Sequence, residues 1–128
     1  AILEDGKQEP IVLRIKKKDD HQKKIKSFFK KNTIDAVVAA DSASGIIALN
    51  MAINLGMKVP KDISVIGFAS KSDSNHTFPK LTTIRQHAKT IGANAAGLLI
   101  DRIEGNASSE DMKTKIVKTS LIKNKSTL

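Results

Sequence analysis

Short apolar runs of strand length alternate with longer stretches of helical periodicity along almost the whole chain. Residues 36–40, Ala-Val-Val-Ala-Ala, contain no polar side chain, as expected for a strand of a parallel sheet that is covered on both faces. The same interpretation predicts strands at residues 11–15, 36–40, 63–68, 81–84 and 115–122, and helices at residues 20–31, 42–55 and 88–104. This alternation predicts an α/β fold, a doubly wound parallel sheet with right-handed crossovers.

The positive charge of the chain is concentrated in one segment. The net charge is +9, and eight lysines fall between residues 16 and 31. Ile25, Phe28 and Phe29 share one face of the predicted helix, so the lysines occupy its other faces. Two interpretations stay open, a solvated amphipathic helix and a phosphate-binding surface. The scarcity of arginine and of interleaved aromatic residues favours the solvated helix.

Several classes of function lack a signal in the sequence. No apolar run approaches the roughly 20 residues of a membrane helix. There is no cysteine, and His21, His76 and His87 lie far apart at no metal-ligand spacing. No nucleophile elbow or phosphate loop occurs. We therefore expect no catalytic residue, no metal, no cofactor and no membrane association. The start without Met suggests a fragment of a longer chain.

Two segments follow predicted strands at the edge where parallel α/β sheets bind ligands. Asp41 and Ser42 stand where a strand ends and a helix begins. One of them caps the helix, and one could also face a polar ligand. Ser70 opens the polar loop that follows Phe68, and this loop is either a binding rim or a plain surface loop.

The predicted helix at residues 42–55 carries two apolar stripes. One stripe is suited to cover the sheet. The second contains Ile47, Met51 and Leu55 and requires a partner of its own. We expect this partner to be a second copy of the chain across a two-fold interface, and burial by another part of the same chain is the alternative.

Three sequence blocks and a closing strand carry a resemblance to a known family. They are DAVVAAD at residues 35–41, LGMKVPKDISVIGF at 55–68 and PKLTTIRQ at 79–86, followed by VKTSLI at 117–122. In this order and spacing the chain resembles the C-terminal part of the lactose-repressor (LacI/GalR) family of bacterial transcription regulators. The resemblance is specific from Asp35 to Gln86 and looser to Thr127.

The resemblance implies a type I periplasmic-binding-protein-like core of two lobes. A small-molecule effector binds in the cleft, and a helix-turn-helix headpiece, absent from this chain, binds operator DNA. Residues 1–86 would belong mainly to the C-terminal lobe and residues 111–128 to its closing strand and tail. The helix within residues 87–110 would pack with the missing N-terminal lobe. A cytoplasmic homodimer is implied, with Ser72 in the loop at its interface.

The family's effector contacts carry over in part. Asp41 or Ser42 falls where the family has an effector-contacting Asn, Thr or Asp, and Gln86 matches a glutamine near the cleft. Ala69 and Ser70 replace an acidic pair whose first Asp binds sugar hydroxyls, a contact worth about 2–3 kcal/mol. A sugar-like effector is therefore expected, but not a simple hexose held through this acidic residue in the usual way.

Two other functions stay open. An extracytoplasmic sugar-binding protein of a transport system shares the fold, and a signal peptide upstream would favour it over the regulator. A basic module that binds nucleic acid through residues 16–31 is the third interpretation, and steep salt dependence of polyanion binding would support it.

Overall fold

The described strands of this protein form one mixed sheet. The helix between its first two strands packs on the sheet, and the helix before them packs on that helix. The computed structural model describes residues 9–69, 76–106 and 113–128. Its elements in chain order are α1 (His21–Lys31), β1 (Ala36–Ala39), α2 (Ser42–Asn54), β2 (Ser64–Phe68), β3 (Thr82–Arg85), α3 (Ala88–Ile103) and β4 (Ser120–Ile122).

The strand order is β1-β2-β3-β4. The first two pairs are parallel, and their register aligns Ala39 with Gly67 and Gly67 with Thr83. The predicted parallel sheet is confirmed for β1, β2 and β3, whereas β4 runs antiparallel to β3 with Arg85 opposite Ser120. The direction follows from the path of the chain, because β4 enters the sheet at the edge where β3 ends.

The predicted strand at residues 11–15 is also wrong. This segment forms no ladder in the structure. Leu13 and Ile15 pack against the core as irregular chain, while Ile11 and Val12 are 60% and 69% exposed. An alternating pattern is therefore satisfied here by one-sided packing without a strand partner. The last strand is likewise shorter than predicted, at Ser120–Ile122.

The core lies between the sheet and the first two helices. Leu49 and Ala52 of α2 are fully buried, as are Ile63, Val65 and Leu81 on the sheet side. Ile25 and Phe29 of α1 join the same cluster and Phe28 packs against it, so the apolar face predicted for this helix is confirmed. Burying side chains of this size stabilises the fold by about 1.5–3 kcal/mol each.

The C-terminal tail is tied into the sheet by a buried polar network. Ser126 is fully buried, and its Oγ donates to the Val65 carbonyl at 2.5 Å and accepts from the Thr82 N–H at 2.7 Å. Asn124 donates through Nδ2 to the Leu81 carbonyl at 2.8 Å. The tail therefore bridges β2 and β3 near their N-terminal ends, at the edge opposite the predicted ligand edge.

Candidate functional site

The carboxyl ends of the three parallel strands lie at one edge of the sheet, where β4 also begins. Asp41 follows the end of β1 by two residues, and Ala69 follows the end of β2 directly. Arg85, the last residue of β3, pairs with Ser120 at the start of β4. This row of strand ends is the ligand edge of the fold, since open α/β sheets bind ligands outside the carboxyl ends of their strands.

Asp41 is the N-cap of α2. Its carboxylate accepts from the Ser44 N–H at 2.8 Å and from the Ser44 hydroxyl at 2.7 Å. The backbone hydrogen bond from Ser44 is the main reason why the pKa of Asp41 lies below its usual value. Capping thus falls to Asp41, while Ser42 is the half-buried first residue of the helix. The cap leaves the Asp41 side chain at the exposed edge.

A close approach of α2 to β2 holds this cap at the edge. A Cβ built on Gly45 would lie 3.2 Å from the Gly67 Cα, and one built on Gly67 would lie 3.3 Å from both the Gly45 Cα and the Leu81 Cδ2. A Cβ at either position would make a contact tighter than most real Cβ contacts, so the two backbones would have to move apart by a few tenths of an ångström. The glycine pair brings the first turn of α2 against the sheet and sets where Asp41 stands.

Gln86 follows β3 at the same edge and is exposed. His87, which comes next, adopts the left-handed backbone conformation with φ 54° and ψ 49°. Its Nε2 lies 2.7 Å from the Ser120 Oγ at the start of β4. His87 and Ser120 were not predicted as a pair, since nothing in a linear sequence indicates a histidine with a left-handed backbone.

The remaining predicted residues divide into two groups. Ser70 and Ser72 lie outside the described residues. Ile47, Met51 and Leu55 are half-buried and pack against the core of their own chain, where α1 lies beside α2. Part of their apolar surface is thus buried by the same chain, which the sequence left open as the alternative to a two-fold interface. Their place at a dimer interface stays a prediction.

The lysines of the charged segment form an exposed surface on α1. The α1 lysines Lys23, Lys26 and Lys30 are exposed. Within the described ranges, the one ion pair found joins Lys24 Nζ to Asp19 Oδ2 at 2.7 Å. This hydrogen bond is the largest cause of the lowered pKa of Asp19.

Among the described residues, no group of three or more His, Cys, Asp or Glu side chains could hold a metal ion. No helix among residues 9–69, 76–106 and 113–128 is long and apolar enough to span a membrane.

Comparison with known proteins shows the family. The sequence model of the periplasmic binding protein-like domain matches residues 4–127. The transcriptional regulator CelR of Thermobifida fusca is 35% identical over 75 residues, which are 59% of this chain and 22% of CelR. The HTH-type transcriptional repressor PurR of Edwardsiella ictaluri is 35% identical over 91 residues, which are 71% of this chain and 26% of PurR.

Solved structures agree with the sequence relatives. A complex of the regulator CelR with cellobiose superposes with a TM-score of 0.76 at 27% identity, covering 83% of this chain and 32% of that one. The lac repressor dimer bound to operator and the anti-inducer ONPF superposes with a TM-score of 0.75 at 26% identity. The match covers 84% of this chain and 37% of the lac repressor chain.

The chain spans about a quarter of the length of these curated relatives. The fold of the described residues, the family match and the relatives agree with the resemblance seen in the sequence. The chain belongs to the periplasmic binding protein-like domain family, as a fragment of the effector-binding domain of a LacI-family transcription regulator.

Proposed function

We propose that the chain is part of the ligand-sensing and dimerisation domain of a DNA-binding regulator, in which a small sugar-like effector bound at the ligand edge changes operator affinity. The observation that carries the proposal is the row of strand ends that brings Asp41, Gln86 and Ser120 to one edge. Relatives of the same fold include a regulator in complex with cellobiose and a repressor bound to operator.

The edge itself suggests how such an effector is held. The Asp41 carboxylate is engaged by Ser44, and a methyl side chain stands at Ala69, where the family carries an acid. Gln86 offers an amide that can both donate to and accept from hydroxyl groups. The proposed effector is therefore a polyhydroxylated metabolite bound through neutral hydrogen bonds more than through a carboxylate.

Isothermal titration of the full-length protein with a panel of mono- and disaccharides, cellobiose and lactose included, tests this proposal. A sugar that binds should bind at least tenfold more weakly to Gln86→Ala. Ala69→Asp should strengthen binding of sugars with adjacent hydroxyls, because it restores an acceptor for two of them. Lys26→Ala, on the solvent face of α1, is the matched control. Equal affinities in all four proteins would contradict the assignment of this edge.

Apart from α3, the second lobe of the cleft is proposed to be supplied by chain outside residues 1–128. None of the α3 side chains is buried, and Ile91, Leu99, Ile100 and Ile103 are 45%, 59%, 51% and 76% exposed. An apolar helix surface of this extent is normally covered. We assign residues 1–86 mainly to the C-terminal lobe, the helix within residues 87–110 to the N-terminal lobe, and residues 111–128 to the closing strand and tail.

The proposed regulator is a cytoplasmic homodimer that reads operator DNA through a separate headpiece. Effector binding would favour one arrangement of lobes and protomers, a coupling of about 1–3 kcal/mol between effector and operator. The relatives described above are regulators, which favours this function over a sugar-binding protein of a transport system. Those relatives are not enzymes, in agreement with a binding function.

A further inference from the structure

The chain passes the ligand edge of the sheet twice, and a side-chain hydrogen bond joins the two passages beyond the β3–β4 ladder. It leaves β3 at Arg85 and turns into α3 at Ala88, and it returns into β4 at Ser120. Arg85 and Ser120 are strand partners, so His87 stands two residues beyond the paired region. The His87 Nε2 bridges back to the Ser120 Oγ at 2.7 Å.

The backbone at His87 is held in a conformation that a side chain disfavours. Among the described residues, His87 is the one non-glycine position with positive φ, at 54°. A Cβ in this left-handed region crowds the following carbonyl group, so the conformation persists where surrounding contacts hold it. The ring contact with Ser120 is such a contact, and both residues are half-buried.

The direction of α3 depends on this one residue. The carbonyl of His87 accepts from the N–H groups of Thr90 at 2.9 Å and Ile91 at 3.1 Å, so the helix starts from its peptide group. None of the described α3 side chains is buried. The helix is thus joined to the sheet mainly through His87 and the two residues before it.

We propose that His87 is a hinge lock, a positioning residue whose ring bond to Ser120 fixes the angle at which α3 leaves the sheet. With the bond formed, the start of α3 is held to β4, which the strand ladder already joins to β3. With the bond broken, the left-handed turn relaxes and α3 swings relative to the sheet. Since α3 is assigned above to the second lobe, the consequence for lobe orientation rests on the proposed function, whereas the lock itself does not.

Hydrogen exchange of the full-length protein, followed by mass spectrometry, tests the lock. Ser120→Ala removes the hydroxyl and leaves the backbone unchanged. His87→Asn keeps a residue that tolerates the left-handed region, but its side chain is too short to span to Ser120. Both variants should exchange at least fivefold faster in peptides covering the start of α3 and β4, with α1 and α2 unchanged. Thr119→Ala, an exposed neighbour, is the control and should match the parent.

A second readout separates a hydrogen bond from a packing effect. In a spectrum of protein labelled with ¹⁵N-histidine, the His87 signals are those lost in His87→Asn. Ser120→Ala should shift these signals, since the hydroxyl sets which ring nitrogen carries the proton. Unchanged His87 signals, exchange equal to that of Thr119→Ala, or faster exchange throughout α1 and α2 would each overturn the lock.

The regulatory consequence has its own readout. In Ser120→Ala, the effector-induced change in operator affinity should fall at least threefold relative to the parent. If the exchange and histidine results are as expected but the protein binds no operator, the lock is supported and the proposed function is contradicted. If the protein binds operator and responds to effector, but hydrogen exchange is unchanged in Ser120→Ala, the function is supported and the lock is contradicted.

Discussion

Gly45 and Gly67 meet across the interface between α2 and β2, where a Cβ on Gly45 would stand 3.2 Å from the Gly67 Cα. The partner atom is backbone, which cannot rotate away as a side chain can. Gly45→Ala should therefore push α2 off the sheet and lower the free energy of unfolding by about 1–3 kcal/mol. Urea unfolding followed by circular dichroism measures the change.

Gly97→Ala is the matched control for this substitution. Gly97 also lies in a helix, and a Cβ there would meet nothing within 4 Å. Alanine favours helix over glycine by up to about 1 kcal/mol, so Gly97→Ala should leave stability unchanged or raise it. Equal destabilisation by both substitutions would mean that the close approach of α2 to β2 is not what requires Gly45.

Asp41 should stabilise α2 in a pH-dependent way. Asp41→Ala removes the acceptor of the two Ser44 bonds and should cost about 1 kcal/mol in the free energy of unfolding. The folded pKa of Asp41 is lowered, so the charge-linked part of this stability is present above the unfolded value of about 3.9 and is lost as pH falls through the folded value. The exposure of the side chain keeps that part below about 1 kcal/mol.

Urea unfolding at about pH 6 and about pH 3 checks this dependence. The difference between the parent and Asp41→Asn should shrink at the lower pH, because asparagine keeps a neutral acceptor that does not titrate. If the difference in unfolding free energy between the parent and Asp41→Asn grows toward low pH, the pKa of Asp41 is not lowered by folding.

Ser126 should contribute far more to stability than an exposed hydroxyl. Ser126→Ala leaves the Val65 carbonyl without its donor and the Thr82 N–H without its acceptor, both at a fully buried position. Loss of these partners should cost about 1–3 kcal/mol in the free energy of unfolding. Thr119→Ala, at an exposed position, should change stability little. The same urea titration compares the two, and similar values would exclude a stabilising role of the tail network.

The helices could be predicted from the sequence more closely than the sheet. Their predicted and observed ends differ by one residue at most, since local signals such as the caps Asp20 and Asp41 mark them. The prediction of a strand at residues 11–15 failed because a strand needs a neighbour, and no local pattern says whether one is present. The antiparallel direction of β4 likewise depends on the edge at which the chain enters the sheet, and no local pattern indicates that edge.

The candidate site was predicted in part for the same reason. Asp41 and Gln86 follow predicted strands, so their place at the ligand edge is visible in the order of the segments. The bond between His87 and Ser120 spans 33 residues, and the bond between Ser126 and Val65 spans 61. The residues next to Ser120 and Ser126 in the sequence do not indicate these distant partners. The partners come within hydrogen-bond distance when the sheet forms.

Dimerisation through α2 is a further prediction. Ile47 is half-buried in the described chain, so Ile47→Glu would place a charge in the proposed interface. Sedimentation velocity of the full-length protein should show a shift from dimer to monomer, with a helical circular dichroism signal equal to that of the parent. Lys26→Glu, a charge change on the solvent face of α1, should remain dimeric. A dimer that persists in Ile47→Glu would place the interface elsewhere.

The most direct test of the account is the operator affinity of the full-length protein with and without effector. Fluorescence anisotropy, with an operator selected from a random duplex pool, measures both values. A saturating effector should change the affinity by about 5- to 150-fold, the usual range of allosteric coupling. Residues 1–128 alone should show no sequence-specific binding. An operator affinity that stays the same at saturating effector, or no specific DNA binding by the full-length protein, would contradict the account.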